Sequence, residues 1–260
     1  MDVPLELNYK NAIPFKGSHY QEKYWVNNNY LVKIDSKYKE STKEVDAYKV
    51  GKILGINVLE YQYIKVLLKG KEKNACVSKN FLQKNEKEIN MYDLYNIFGY
   101  IPDYKISAIN YINITIDMIH ELTKISKNRI TKWLYAMLIF DYIICNTDRN
   151  TSNISIIYNK DTKKYRLAPY FDNGISFLGT NQSLKASEFR IREAILESRP
   201  FSRNFIDNLG DKYIASRVYS EMIEYCSTNG GVKEGVKSIN YGHARTVLRR
   251  VEELNNILLW

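Results

Sequence analysis

The stretch from Phe140 to Gly174, FDYIICNTDRNTSNISIIYNKDTKKYRLAPYFDNG, limits what this chain can fold into more than any other. A nearly all-apolar run, Trp133 to Ile144, reads as a buried central helix, and it ends directly on Asn146-Thr147-Asp148. Asn153 follows Asp148 at the fifth position. The apolar run Ile154 to Ile157, the polar turn Asn159-Lys160-Asp161 and the segment Tyr165 to Pro169 then read as a hairpin. Such a hairpin returns Asp172, the first residue of Asp172-Asn173-Gly174, close to Asn153. Taken singly, Asp and Asn are ordinary turn residues. Their joint placement on two loops around one hairpin, at the end of a buried helix, is what carries information.

Two carboxylates and an amide in this order are the set that phosphoryl transfer uses. One carboxylate faces the acceptor hydroxyl, while the amide and the second carboxylate hold the metal ions. The protein-kinase signature has the same order, an Asp with an Asn five positions on, then a strand and Asp-Phe-Gly. Here the last element is Asp172-Asn173-Gly174.

With these residues in view, the chain resembles the HipA-like serine/threonine kinases, in particular their short single-chain members. In that family an apolar helix leads to N-x-D-R-H-x-x-N, and a hairpin ends in A-P-x-[FY]-D. This chain has Asn146, Asp148, Arg149 and Asn153, then Ala168-Pro169-Tyr170-Phe171-Asp172. It departs at Asn150, where the family has His, and that change bears on loop geometry. The resemblance implies that Asp148 is the catalytic Asp and that Asn153 and Asp172 are metal ligands. It covers roughly residues 10 to 180.

The resemblance extends upstream to the nucleotide. Tyr30-Leu31-Val32-Lys33-Ile34 looks like the family's strand bearing the ATP-contacting lysine, and Lys33 sits in an alternating apolar run. The segment Glu44 to Ile56 matches the helix that follows, with Ala47, Val50, Ile53 and Leu54 at helical spacing and Gly55 at the C′ position. Glu44 is the expected partner of Lys33, with Asp46 and Glu40 as weaker alternatives. Gly17 and Ser18 stand where the family has its phosphate-covering loop, although no G-x-G-x-x-G is present, and a polar hairpin turn is an equal reading. Ala75 to Phe81 resembles the strand and hinge at the adenine edge, which brings in Lys79 and Phe81.

The chain has 260 residues, 45% of them hydrophobic, which suffices for a full core and suits one two-lobed domain or two small domains. No run approaches the ~20 apolar residues of a membrane span. MDVPLELNYK has neither a basic n-region nor an apolar h-region, so no Sec-type leader is read and a cytoplasmic location is expected. Cys76, Cys145 and Cys226 are widely separated, without metal-ligand spacing; Cys76 and Cys145 read as buried thiols. A net charge of +9 is spread along the chain rather than gathered into an aromatic-basic stripe, so nucleic acid is not an expected partner.

The expected fold is therefore α+β and protein-kinase-like. A small mixed-β lobe, residues 1–84, contains one helix from Lys43 to Leu54 and turns at Asn27 to Asn29 and Lys69 to Lys73. A large helical lobe, residues 85–260, begins with a polar connector, Asn85 to Tyr104, containing a short helix. Further helices are expected over Leu184–Leu196, Tyr213–Cys226 and His243–Leu258. Ser176, Thr180, Ser183, Ser187, Ser198 and Ser202 lie among basic residues after Asp172, and Phe201 reads as a core plug after a helix-ending Pro200. The expected function is an ATP- and Mg²⁺-dependent serine/threonine protein kinase that also phosphorylates itself. A separate antitoxin or regulatory chain is a possible partner. The alternatives are a small-molecule or lipid kinase, a nucleotidyl transferase, a pseudokinase, and a basic nucleic-acid-binding toxin component.

Overall fold

The structure, a computed structural model, describes residues 5–7, 12–14, 21–102, 105–177 and 198–259. Its elements run β1 (Leu5–Leu7), β2 (Ala12–Pro14), β3 (Lys23–Val26), β4 (Tyr30–Ile34), α1 (Glu40–Ile53), β5 (Gln62–Leu68), β6 (Lys71–Lys79), β7 (Glu86–Asn90), α2 (Met91–Ile97), α3 (Ala108–Thr123) and α4 (Lys127–Ile144). Then follow β8 (Ser155–Asn159), β9 (Tyr165–Leu167), α5 (Lys212–Thr228), α6 (Gly231–Gly235) and α7 (Tyr241–Leu258). Gly17, Ser18, Thr180, Ser183, Ser187 and the expected helix Leu184–Leu196 lie outside the described residues.

The first half is a sheet in the order β1-β5-β6-β4-β3-β2, antiparallel except for the β1–β5 pair. Directly opposed residues share a face of such a sheet. One face gathers Val26, Val32, Ile34, Val66, Leu68 and Ala75 into a small core. The register Lys23↔Lys33↔Cys76 puts the two lysines on the other face. Helix α1 lies against β4, β5 and β6. Its buried face is mostly polar: Glu40, Ser41, Lys43, Glu44 and Asp46 are all covered. Gly55 ends it in the left-handed region at φ 68, where the Gly55 N–H donates to Lys52 and the Ile56 N–H to Gly51. That is the glycine C′ stop expected from the sequence.

The second half is built on α4. From Leu134 to Ile144 every residue is buried, and α3, α5 and α7 pack around it. Each large aliphatic side chain so covered contributes about 1.5–3 kcal/mol. Helix α7 turns Val247, Leu254 and Leu258 into this core, with Ala244, Leu248 and Val251 packed beside them, which is the face its spacing predicts. Phe201 is also in this core, edge-on to Tyr111 at 5.0 Å, as its reading as a plug requires. All three cysteines are buried, and none is in a disulfide. Among the described residues no helix is long and apolar enough to cross a membrane.

Several elements differ from the sequence reading, among them α4, which begins at Lys127 rather than Trp133. Helix α1 begins at Glu40 rather than Lys43. The connector after Asn85 opens with a strand, β7, paired antiparallel with β8, and only then forms the short helix α2. Glu86, Lys87 and Glu88 carry no apolar alternation, so the strand arises from its partners. Ile89 lies opposite Ile156, the Ser155 hydroxyl donates to Glu88, and Arg166 on β9 donates twice to Glu86.

A charged pair lies inside the apolar core. Asp141 is 1% exposed and Arg149 is fully buried. Arg149 donates from Nε and Nη2 to the two Asp141 oxygens, both at 2.9 Å. Removing one partner of such a pair leaves an uncompensated buried charge. Arg149→Met is expected to lower the unfolding free energy by about 3–5 kcal/mol, read by urea denaturation. Adding Asp141→Leu should recover a good part of that loss. An Arg149→Met chain as stable as the parent would show that the pair is not structural.

Candidate functional site

The acidic loop after α4 is shaped by its own polar side chains. Helix α4 stops at Cys145, which takes the left-handed conformation at φ 51. Asn146 then bridges backwards and forwards: its Nδ2 donates to Asp141, and its Oδ1 accepts the Asp148 N–H. Asn150 caps the short 3₁₀ turn Thr151–Asn153 by accepting the Ser152 N–H. The residue that departs from the family pattern is therefore a competent cap for this loop. Asn153 donates from Nδ2 to the Asp148 carbonyl at 3.2 Å. That leaves the amide oxygen as the atom it could offer to a cation.

The hairpin β8–β9 brings the second acidic loop back. Trp133 Nε1 donates to the Ala168 carbonyl and the Tyr170 hydroxyl donates to the Trp133 carbonyl, tying Ala168-Pro169-Tyr170 to α4. Arg149 then joins the two loops. Besides Asp141, it donates to the carbonyls of Asn153 (3.3 Å) and Phe171 (2.6 Å) and to the Asn173 side chain. Asp172, between Phe171 and Asn173, takes a positive φ of 57.

Lys33 and Glu44 meet across the gap between β4 and α1. Lys33 Nζ donates to Glu44 Oε1 at 2.5 Å and to Asp172 Oδ1 at 2.7 Å, and it stands 4.8 Å from the centre of the Tyr61 ring. The other Glu44 oxygen accepts the Asn173 N–H at 2.9 Å. Of the three acidic residues considered for Lys33, only Glu44 makes this bond. Glu40 turns back to accept from Ser36, and Asp46 is bound to His243 and to the Asn240 N–H. Burial alone would lower the Lys33 pKa, but Asp172 and then Glu44 hold it well above its ordinary value. Burial works the other way on Asp172, yet Lys33 and then Lys23 keep its carboxyl well below the usual range. Asp148 is pushed up, first by burial and then by Asp172, with Arg199 opposing.

The proposed adenine edge is more loosely assembled. Phe81 stacks on Phe171 with ring centres 5.3 Å apart. Its carbonyl accepts from Arg166. Lys79 stays exposed at the end of β6. The structure thus gathers Lys33, Glu44, Asp148, Asn153 and Asp172 in one region, connects Phe81 to it through Phe171, and leaves Lys79 at its rim.

The donor set fits a hard divalent cation arriving with phosphates. Mg²⁺ binds through oxygen, often through one or two protein groups with the rest from phosphate and water. The Asp172 carboxylate and the Asn153 amide oxygen supply such groups. Asp172 already gathers two ammonium groups, the local charge pattern that a cation would replace. Among the described residues no cluster of three or more His, Cys, Asp or Glu forms a ready-made cage.

Three members of this arrangement are not evident from sequence spacing. Asp141, a lone carboxylate in an apolar helix, is the one with a visible signal, since a buried charge needs a partner. Lys23 and Asn173 have none, because their partners are Asp172 and Glu44, far away in the chain.

Comparisons with known proteins bear on the fold. The proinflammatory kinase CtkA of Helicobacter pylori superposes with a TM-score of 0.66 at 15% identity, over 99% of this chain and 96% of that one. HipA of Shewanella oneidensis MR-1, solved with HipB and operator DNA, gives 0.50 at 12% identity, over 100% of this chain and 67% of that one. Likeness at such low identity is one of fold, and the fold is kinase-like and two-lobed. No curated protein sequence matches the chain. The family model described as HipA-like C-terminal domain matches residues 9–227, and the chain therefore belongs to the HipA-like family.

Proposed function

We propose that the chain is an ATP- and Mg²⁺-dependent serine/threonine protein kinase of the HipA-like type, acting on a protein hydroxyl and on itself. The observation that carries this reading is the Lys33 ammonium held between Glu44 and Asp172 at 2.5 and 2.7 Å. A lysine fixed by a helix carboxylate beside a metal-binding Asp is the arrangement that orients phosphates for transfer. The nucleotide would lie between a lobe of residues 1–84 and one of residues 85–260, with its base against Phe81. Lys79 and the loop holding Gly17 and Ser18 are proposed to border it. A separate regulatory chain is a further expectation, by analogy with HipB beside HipA.

In this reading Lys33 holds phosphate oxygens, and Glu44 holds Lys33. Asn153 Oδ1 and the Asp172 carboxylate would hold the cation. Mg²⁺, when bound, would neutralise charge on the phosphate oxygens. Asp148 orients the acceptor hydroxyl and takes its proton as the new oxygen–phosphorus bond forms and the bond to the β-phosphate oxygen breaks. Ser176 and Ser198 are each 1% exposed, which leaves Ser202 as the more accessible described acceptor of that segment for self-phosphorylation.

The acceptor base is tested directly. Asp148→Asn is expected to reduce transfer from γ-labelled ATP by about 10²–10⁴-fold, with the circular dichroism spectrum unchanged. Near-parental transfer would remove Asp148 from the reaction. Labelling of protein in a lysate, rather than of small molecules or lipid, separates this proposal from the other acceptors.

The metal ligands have a binding readout. Asn153→Ala and Asp172→Ala should each weaken ATP binding in the presence of Mg²⁺, measured by calorimetry, and reduce its dependence on Mg²⁺. Unchanged affinity and metal dependence in both variants would exclude them as ligands.

Lys33 and Glu44 are expected to act as a unit. In a double-mutant cycle on ATP turnover, Lys33→Met and Glu44→Gln should each be severe and their combination little worse. Additive losses would mean that the pair does not position the nucleotide.

A further inference from the structure

Helix α7 lies beyond the family match, which ends at residue 227, yet it touches three elements of the candidate site. His243, in its first turn, is buried. The His243 Nδ1 stands 2.6 Å from Asp46 Oδ2 on α1. An ionised carboxylate only accepts, so Nδ1 carries the proton of this bond. The same ring stacks on Phe177, with centres 4.2 Å apart and planes 17° from parallel. Two turns further along α7, Arg250 donates from Nε to Cys145 Sγ at 3.0 Å, where α4 gives way to the Asp148 loop.

The places of these partners in the chain give the contacts their meaning. Asp46 follows Glu44 by two residues, and each helical residue is turned about 100° from the last, so the two side chains leave α1 on nearly opposite sides. Glu44 is bonded on one side to Lys33 and the Asn173 N–H. Asp46 is bonded on the other to His243 and the Asn240 N–H. A helix bonded on one side can still roll about its axis, whereas one bonded on both cannot. Phe177 follows Asp172 by five residues and is fully buried. It holds a positive φ of 56, which a bulky residue keeps only when its surroundings impose it. The His243 ring is a flat wall of those surroundings. One imidazole thus touches both the helix bearing Glu44 and the segment bearing Asp172, the two carboxylates that hold Lys33.

We infer that His243 is a positioning residue of the Lys33 clamp. It fixes the roll of α1 against the Asp172 segment, and this makes α7 a working part of the site. Its effect on phosphoryl transfer rests on the function proposed above; its effect on Lys33 does not.

Lys33 itself reports on the clamp, with no nucleotide needed. Acetic anhydride acylates neutral, accessible amines, whereas Lys33 is 2% exposed and is held protonated by Asp172 and Glu44. The full chain is treated briefly, and Lys33 acetylation is read by peptide mass spectrometry relative to Lys124, whose side chain is 70% exposed. His243→Phe keeps a ring against Phe177 but has no donor for Asp46. It should speed Lys33 acetylation by at least about tenfold, the scale of a lost hydrogen bond to a charged group. His243→Asn, which keeps a donor near the Nδ1 position, should stay close to the parent. Leu254→Ala, a buried truncation on the same helix, should lower stability to urea yet leave Lys33 protected. Unchanged Lys33 labelling in His243→Phe, or equal exposure of Lys33 in Leu254→Ala, would overturn the inference. Should His243→Phe not fold, Asp46→Asn removes the charge from the same bond at constant shape, and the same two readings apply to it. In ATP turnover, His243→Phe should lower kcat in the parent and cost little more in the Glu44→Gln chain, since both act through Lys33. Additive losses would overturn the positioning role. The expected labelling in a chain whose parent shows no turnover would bring down the kinase reading alone and leave this inference standing.

Discussion

The Arg149 guanidinium is the interaction on which the site depends. It is fully buried, and it reaches Asp141 on α4, the Asn153 carbonyl, the Phe171 carbonyl and the Asn173 side chain. Those partners come from the central helix, from the loop bearing Asp148 and from the loop bearing Asp172. A planar fork of fixed donors can hold three segments in one relative geometry, which a flexible ammonium cannot. The desolvation cost of placing this charge in an apolar core is offset by the bidentate carboxylate and by neutral acceptors around it. Through Asn173, whose N–H binds Glu44, the same hub extends to α1 and hence to Lys33.

Helix α1 shows the same principle on a second element. Its buried face carries Glu40, Lys43, Glu44 and Asp46 beside Ala47 and Val50, and each of the three carboxylates has a specific partner. Glu40 has Ser36, Glu44 has Lys33 and the Asn173 N–H, and Asp46 has His243 and the Asn240 N–H. Further bonds tie α1 to the C-terminal helices: Lys49 donates to the Ser238 carbonyl, and Cys226 to the Ile53 carbonyl. A helix held by oriented polar contacts has one preferred position, whereas an apolar face tolerates sliding. That fixes Glu44 relative to Lys33 without a bound ligand.

Much of this was legible locally. The run into Asp148, the hairpin, the Asp172 loop, the lysine on β4 and the glycine stop of α1 each have a short-range pattern of period, turn or cap. The same holds for the buried face of α7. Strand β7 was not legible, because Glu86, Lys87 and Glu88 have no alternation and become a strand only by pairing with β8 and bonding to Arg166. The choice of Glu44 over Glu40 and Asp46 was only partly legible, since all three lie on one helix and the difference is the direction each faces.

The sequence by itself determined the chemistry available: two acidic loops around a hairpin, a cleft lysine and a helix rich in carboxylates. Its information is local, in residue type and in spacing along the chain. Tertiary structure decided which charges meet. Lys23 and Asp172 are 149 positions apart, and Asp46 and His243 are 197 apart. No local period or cap encodes such pairs; they follow from strand register and helix packing, which emerge only when the whole core closes.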